Sequence, residues 1–237
     1  MKLFLEKLKW LGLAVGFFLA EQLGSMILYF SSGVQMSIKY GSKAQEKIRA
    51  GQILPPGPLG ITFAILVSLV ILVSVVWLLY HYGFIKKVQP NWKILIFGVL
   101  FAYLLIYGLD NIGSWLMSLQ DKSDTSNQKA LESLVHLFPA YFMFIDLVIL
   151  APIIEELIFR GFIQQKFFKK PWLGYLMSCL LFSLVHTPDS WGAFFTYASM
   201  GAVIGFFAFK FKRLEYGIAL HVLNNFIAFL SIYQMIG

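Results

Sequence analysis

Long apolar runs separated by short polar clusters set the pattern of this chain. Measured against the ~20 residues that a bilayer-crossing helix needs, the runs predict spans near 10–32, 61–83, 94–119, 139–168, 172–187, 191–210 and 215–236. The fourth run is long and carries Pro139 and Pro152, which predicts a bend or a division. Around "HTPDSWG", residues 186–192, turn formers leave no room for a large loop. A broken or re-entrant passage is expected there, which is tolerated only where protein or a water-filled cavity surrounds the backbone. Two connections have a character of their own. Residues 33–60 are basic and end in a Pro/Gly-rich turn, and are expected to form a surface amphipathic helix; residues 120–137 are polar and end in an expected interfacial helix. The predicted fold is all-α: a polytopic transmembrane helical bundle of about seven spans (six to eight), with the active site inside the bundle.

Composition agrees with this pattern. The chain is 59% hydrophobic and only 13% charged, about half the charge of an ordinary soluble domain. The net charge of +7 lies in clusters between apolar runs, as expected of membrane-flanking anchors rather than a nucleic-acid surface. Twelve Lys and Arg fall in segments 2–9, 86–93, 166–170 and 210–213, against six in 39–49 and 122–129. That bias predicts a cytoplasmic N-terminus and an external C-terminus in a bacterial plasma membrane. The first apolar stretch begins like a signal peptide but runs past Glu21 and Gln22 to "MILYF" without an A-x-A site, so an uncleaved membrane helix is expected. Cys179 is the sole cysteine, sits in an apolar run and reads as a small packing residue.

Against this background "APIIEELIFRGF", residues 151–162, stands out. An ionisable residue within a span costs at least ~2.5 kcal/mol on insertion scales and needs a partner. Glu156 and Arg160 are spaced i,i+4 with the acid first, the favourable order for a pair on one helix face. Glu155 points about 100° away around the helix and requires company from another helix. His186 closes the fifth run, with Phe182 one turn earlier; His221 and Asn225 share one face of the last. A carboxylate beside an imidazole can activate water as a general base. A second imidazole and an amide can donate to a developing oxyanion. Glu155, His186 and His221 are equally suited to a divalent metal such as zinc, so metal-dependent and metal-free chemistry both stay open. Asp146, nine residues before Glu155, is a candidate for the same cavity wall. Glu21, Asp110 and Asn111 also fall in apolar segments, the last two read as marking a span end or a turn.

"EELIFR" fits E-E-x-x-x-R, "FSLVH" fits F-x-x-x-H and "HVLNN" fits H-x-x-x-N, in that order. The chain thereby resembles the CPBP family of CAAX proteases and bacteriocin-processing (Abi) proteins, which are intramembrane proteases. The resemblance divides the chain into residues 1–138, N-terminal transmembrane helices and a basic loop with no motif, and residues 139–237, a catalytic transmembrane core. It implies that Glu155 with His186 activates the attacking water and that His221 and Asn225 stabilise the oxyanion or share a metal site. It further implies that Arg160 holds Glu156 and fixes the helix. The expected partners are the lipid bilayer and a peptide or membrane-protein substrate, with bacteriocin processing or self-immunity as the setting, and no nucleic acid. The competing reading is a non-proteolytic membrane immunity or scaffold protein that binds a peptide or a sensor. A transporter would call for broken helices repeated in two related halves, and no such repeat is visible.

Overall fold

The computed structural model describes residues 1–236, which are helical or loop with no β-strand. Helices α1 (Lys2–Glu21) and α2 (Leu23–Tyr40) run almost without interruption through Gln22, whose backbone stays near helical at φ −74° and ψ −15°. The first span thus runs on to Tyr40, and within residues 33–60 the separate helix is confined to Ala44–Arg49. The sequence places no helix stop before Gly41, whose φ of +54° ends α2; a 3-10 turn and the short α3 (Ala44–Arg49) follow. Helix α4 (Pro58–His81) starts with proline at its first position, where the missing N–H costs nothing. It stops at Gly83, with φ +70°. Phe84 N donates to Leu79 O at 2.9 Å and Gly83 N to Tyr80 O at 3.2 Å, satisfying the last carbonyls of the helix.

Helix α5 covers Ile94–Ser118. The expected interfacial helix is α6 (Ser126–Val135), begun by Thr125, whose side chain accepts from Gln128 N at 3.1 Å. Residues 140–167 form one continuous helix, α7, whose winding alternates: α-helical over Ala140–Met143 and Ala151–Glu155, wider and π-helical over Phe144–Leu150 and Glu156–Phe167. No break divides this run; its winding changes along the helix instead. Helices α8 (Pro171–Val185), α9 (Trp191–Phe211) and α10 (Glu215–Ile236) complete the bundle. Ser190 caps α9 by accepting from Ala193 N at 3.0 Å, so the chain passes from α8 to α9 in a few residues.

Among the described residues five helices are long and apolar enough to cross a membrane: Phe4–Arg49, Pro58–His81, Ile94–Ser118, Trp191–Phe211 and Glu215–Gln234, with Pro171–Val185 apolar but shorter. Their outward faces are apolar; Val73 and Phe101 are about as exposed as surface charges usually are, at 69% and 70%. In water such a surface would drive association, whereas in lipid it is the expected one. The protein is an integral, multi-pass membrane bundle. Its axis is α7, packed by α1 and α8 along its second half and by α10 along its first, while α9 lies between α5 and α8. Ile154, Leu157 and Phe162 of α7 are wholly buried.

Four basic segments meet at one end. Lys9 Nζ lies 4.6 Å from the Tyr82 ring, Lys166 Nζ lies 5.3 Å from the Phe84 ring, and Arg213 donates to Val88 O at 2.7 Å. At the other end Lys122 pairs with Asp189 at 2.9 Å, and Trp191 N donates to Gln120 Oε1 at 3.1 Å.

Candidate active site

The wholly buried middle of α7 is where a charge costs most, and the structure shows how Glu156 is accommodated. Its side chain and that of Arg160 are both 0% exposed, with Arg160 Nη1 3.1 Å from Glu156 Oε1. The guanidinium is further held by donation from Nη2 to Gly201 O at 3.0 Å and by the Phe182 ring, whose centroid lies 4.4 Å from Cζ. One turn on, Gln164 Nε2 donates to Gly205 O at 3.1 Å. Two i,i+4 side chains of α7 thus grip two i,i+4 carbonyls of α9. The glycines leave room for this approach: a Cβ at Gly201 would meet Phe182 at 3.0 Å, and one at Gly205 would meet Gln164 and Tyr175 at 3.3 Å.

Glu156 has a second partner that sequence spacing did not reveal. His221 Nδ1, from α10, lies 3.1 Å from the same Oε1. A carboxylate can only accept, so Nδ1 carries the hydrogen, and Nε2 is the ring atom free to exchange a proton. Nε2 faces Glu155 Oε2 at 3.7 Å. His221 is therefore held between two adjacent carboxylates, one of them ion-paired and fully buried, the other partly open. Glu155 Oε2 has no hydrogen-bond partner among the described residues.

His186 closes α8. Its Nδ1 lies 2.8 Å from Phe182 O, which fixes that nitrogen as the donor and leaves Nε2 as an acceptor in the neutral ring. Its ring stacks on Tyr197 of α9, with centroids 4.4 Å apart, and Tyr197 in turn shares a 2.9 Å hydrogen bond with Thr125, the cap of α6. Phe182 separates the two histidines, its ring 4.7 Å from His186 and 5.7 Å from His221. The imidazole beside Glu155 is thus His221; His186 shares the cavity without a direct bond to it.

Asn225 owes its place to Pro152. Ala151 N donates to Asp146 O, five residues back, in the π-helical register of that stretch. The next donor in that register would be residue 152, and proline has no N–H. The carbonyl left over is that of Leu147, and Asn225 Nδ2 donates to it at 2.9 Å. Replacing Asn225 by Leu is expected to lower stability by about 1–3 kcal/mol, the cost of a buried acceptor left unpaired. Pro152→Ala restores an N–H at the required position and should recover part of that loss. Thermal denaturation of the purified single and double variants checks this; equal loss with and without Pro152→Ala would mean that Leu147 O finds its partner elsewhere.

Glu155, His186, His221 and Asn225 all line one internal cavity of about 1010 Å³. Asp146, Glu21, Asp110 and Asn111 line it too. Asp110 and Asn111 lie within α5, which continues to Ser118, rather than at a span end or turn as expected. No group of three His, Cys, Asp or Glu side chains among the described residues is set to hold a metal ion. The set Glu155, His186 and His221 considered for zinc is not among such groups; Nδ1 of His221 is bonded to Glu156 and Nδ1 of His186 to a carbonyl, which leaves Nε2 of each ring uncommitted.

Residues 137–227 match the family described as Type II CAAX prenyl endopeptidase Rce1-like, so a CAAX-protease-like domain with a buried His–Glu pair is present over part of the chain. The chain is 32% identical over 157 residues to the UPF0177 protein YbdI of Lactococcus lactis subsp. lactis (strain IL1403), spanning 65% of this chain and 86% of that one. It is 29% identical over 144 residues to the UPF0177 protein YajF of the same strain, spanning 60% and 70% respectively. The chain belongs to the UPF0177 family. No solved structure matches it significantly.

Proposed function

We propose that this protein is an intramembrane endopeptidase that hydrolyses a peptide or membrane-associated protein inside its bundle. The observation that carries this reading is His221, clamped at Nδ1 by Glu156 and facing Glu155 with Nε2, on the wall of a cavity large enough for a polypeptide segment. Glu155 takes a proton from water, and His186 Nε2 accepts the second hydrogen of that water and holds it in line. The hydroxide adds to the scissile carbonyl. His221 receives the proton at Nε2, and the charge it then carries is offset by Glu156 through Nδ1. The Nε2–H and the remaining hydrogen of the Asn225 amide donate to the oxyanion. Collapse of the intermediate breaks the C–N bond as the proton passes to the leaving amine. Glu156 and Arg160 orient His221 and do not touch the substrate.

In this reading residues 139–237 form the catalytic core, and residues 1–138 complete its cavity through Glu21, Ser25 and the second half of α5. The basic end of the bundle faces the cytoplasm, in a bacterial plasma membrane, and the biological setting is bacteriocin processing or self-immunity. The test is to incubate the purified protein with prenylated CAAX peptides and with unprenylated membrane-associated peptides, then sequence the fragments. Cleavage at a defined bond is the expected result. Tight, specific binding with no fragment from any peptide would make a non-proteolytic immunity or scaffold protein the better reading.

A further inference from the structure

The cavity is acidic in a protein that is otherwise basic. Five of the chain's twelve carboxylates line it, Glu21, Asp110, Asp124, Asp146 and Glu155, and none of its nineteen Lys and Arg does. Three acids off the cavity have cations: Glu156 has Arg160, Glu215 has Arg213 at 2.7 Å, and Asp189 has Lys122 at 2.9 Å. Among the described residues no salt bridge joins a cavity acid to a Lys or Arg. Asp146 is 8% exposed, its Oδ1 has no partner, and its Oδ2 is met only by Ser25 Oγ at 3.5 Å. Asp110 Oδ1 and Glu155 Oε2 are likewise buried without a partner. Glu21, Asp146 and Glu155 line the same cavity. Each such acid costs roughly 2.5–3.5 kcal/mol within a membrane when charged, and no Lys or Arg lines the cavity beside them.

We infer that the missing cations come with the occupant: the cavity receives a peptide segment bearing Lys or Arg, with one basic side chain beside the scissile bond against Asp146 and Glu21, and a second further along against Asp110 and Asp124. The inference rests on the peptidase reading for the scissile bond, and on the cavity alone for the basic character. A volume of about 1010 Å³ is at the upper end of what small ligands occupy, so a polypeptide segment fits it better than a single inorganic cation.

The test uses the full chain in nanodiscs of zwitterionic phosphatidylcholine. The probes are a fluorescent short peptide carrying two lysines and its counterparts with two glutamines or two glutamates. Binding is read by anisotropy and cleavage by fragment analysis. The lysine peptide should bind roughly tenfold more tightly than the glutamine peptide, and the glutamate peptide most weakly. The sign is informative, because non-specific attraction to a protein of net charge +7 would favour the glutamate peptide. Glu21→Gln with Asp146→Asn should remove most of the lysine preference and leave glutamine-peptide binding unchanged. Asp110→Asn, tested separately, should remove a smaller part of it. Equal affinities, or a lysine preference that survives all three substitutions, overturn the inference. Cleavage that ignores peptide charge also overturns it while the peptidase reading stands; acid-dependent lysine binding without any cleavage keeps it and removes the peptidase reading.

Discussion

Glu155→Gln is expected to lower peptide turnover by about 10²–10⁴-fold while membrane abundance and melting temperature stay at the level of the unaltered protein. The range is that of a positioned general base. The substitution keeps the shape of the side chain and removes its capacity to take a proton from water. Stability should hold because Glu155 Oε2 makes no hydrogen bond that would be lost, and because a neutral amide is cheaper than a carboxylate in a poorly solvated wall. The measurement is single-turnover cleavage beside thermal denaturation of the same preparation. Full turnover in this variant would remove Glu155 from the chemistry.

The second large effect concerns folding. Arg160→Ala should destabilise the protein by about 3–5 kcal/mol, because it leaves the Glu156 carboxylate buried without its cation. The change also vacates the contact with the Phe182 ring and the bond to Gly201 O. Replacing both partners, Glu156→Gln with Arg160→Gln, should restore much of the stability, since an uncompensated charge no longer has to be buried. Turnover should not return with it, because His221 loses the carboxylate that fixes its Nδ1 hydrogen. Melting temperature and turnover are therefore expected to separate in the double variant. An Arg160→Ala protein that melts normally yet cannot cleave would place Arg160 at the reacting atoms instead.

The Glu156–Arg160 pair was legible in the sequence because both residues lie on one helix, where spacing alone sets the geometry. The bond from Glu156 to His221 was not, because it joins residues 65 positions apart and depends on the rotation of α10 against α7. Glu155 and His186 both line the cavity, and the imidazole that Glu155 faces directly is His221. Two signals were present and unread. Pro152 removes one backbone donor, which predicts an orphaned carbonyl and hence an amide nearby; Asn225 fills that role. Gly201 and Gly205 form a small-x-x-x-small repeat in α9 that marks the face on which Arg160 and Gln164 land. The all-α membrane fold followed from run length, whereas the length of α2 did not, since an amphipathic pattern after residue 33 does not by itself end a helix.

The paired grip of Arg160 and Gln164 on the α9 carbonyls also has a mechanical side. Parting α7 from α9 would strip a buried guanidinium and a buried amide of their acceptors at once, so that seam resists opening. The α1–α2 joint at Gln22 carries no such grip, and α6 is held to α9 only through the Thr125–Tyr197 hydrogen bond. On the peptidase reading, the half of the chain that carries the motifs would serve as the fixed frame and the N-terminal half as the part that yields.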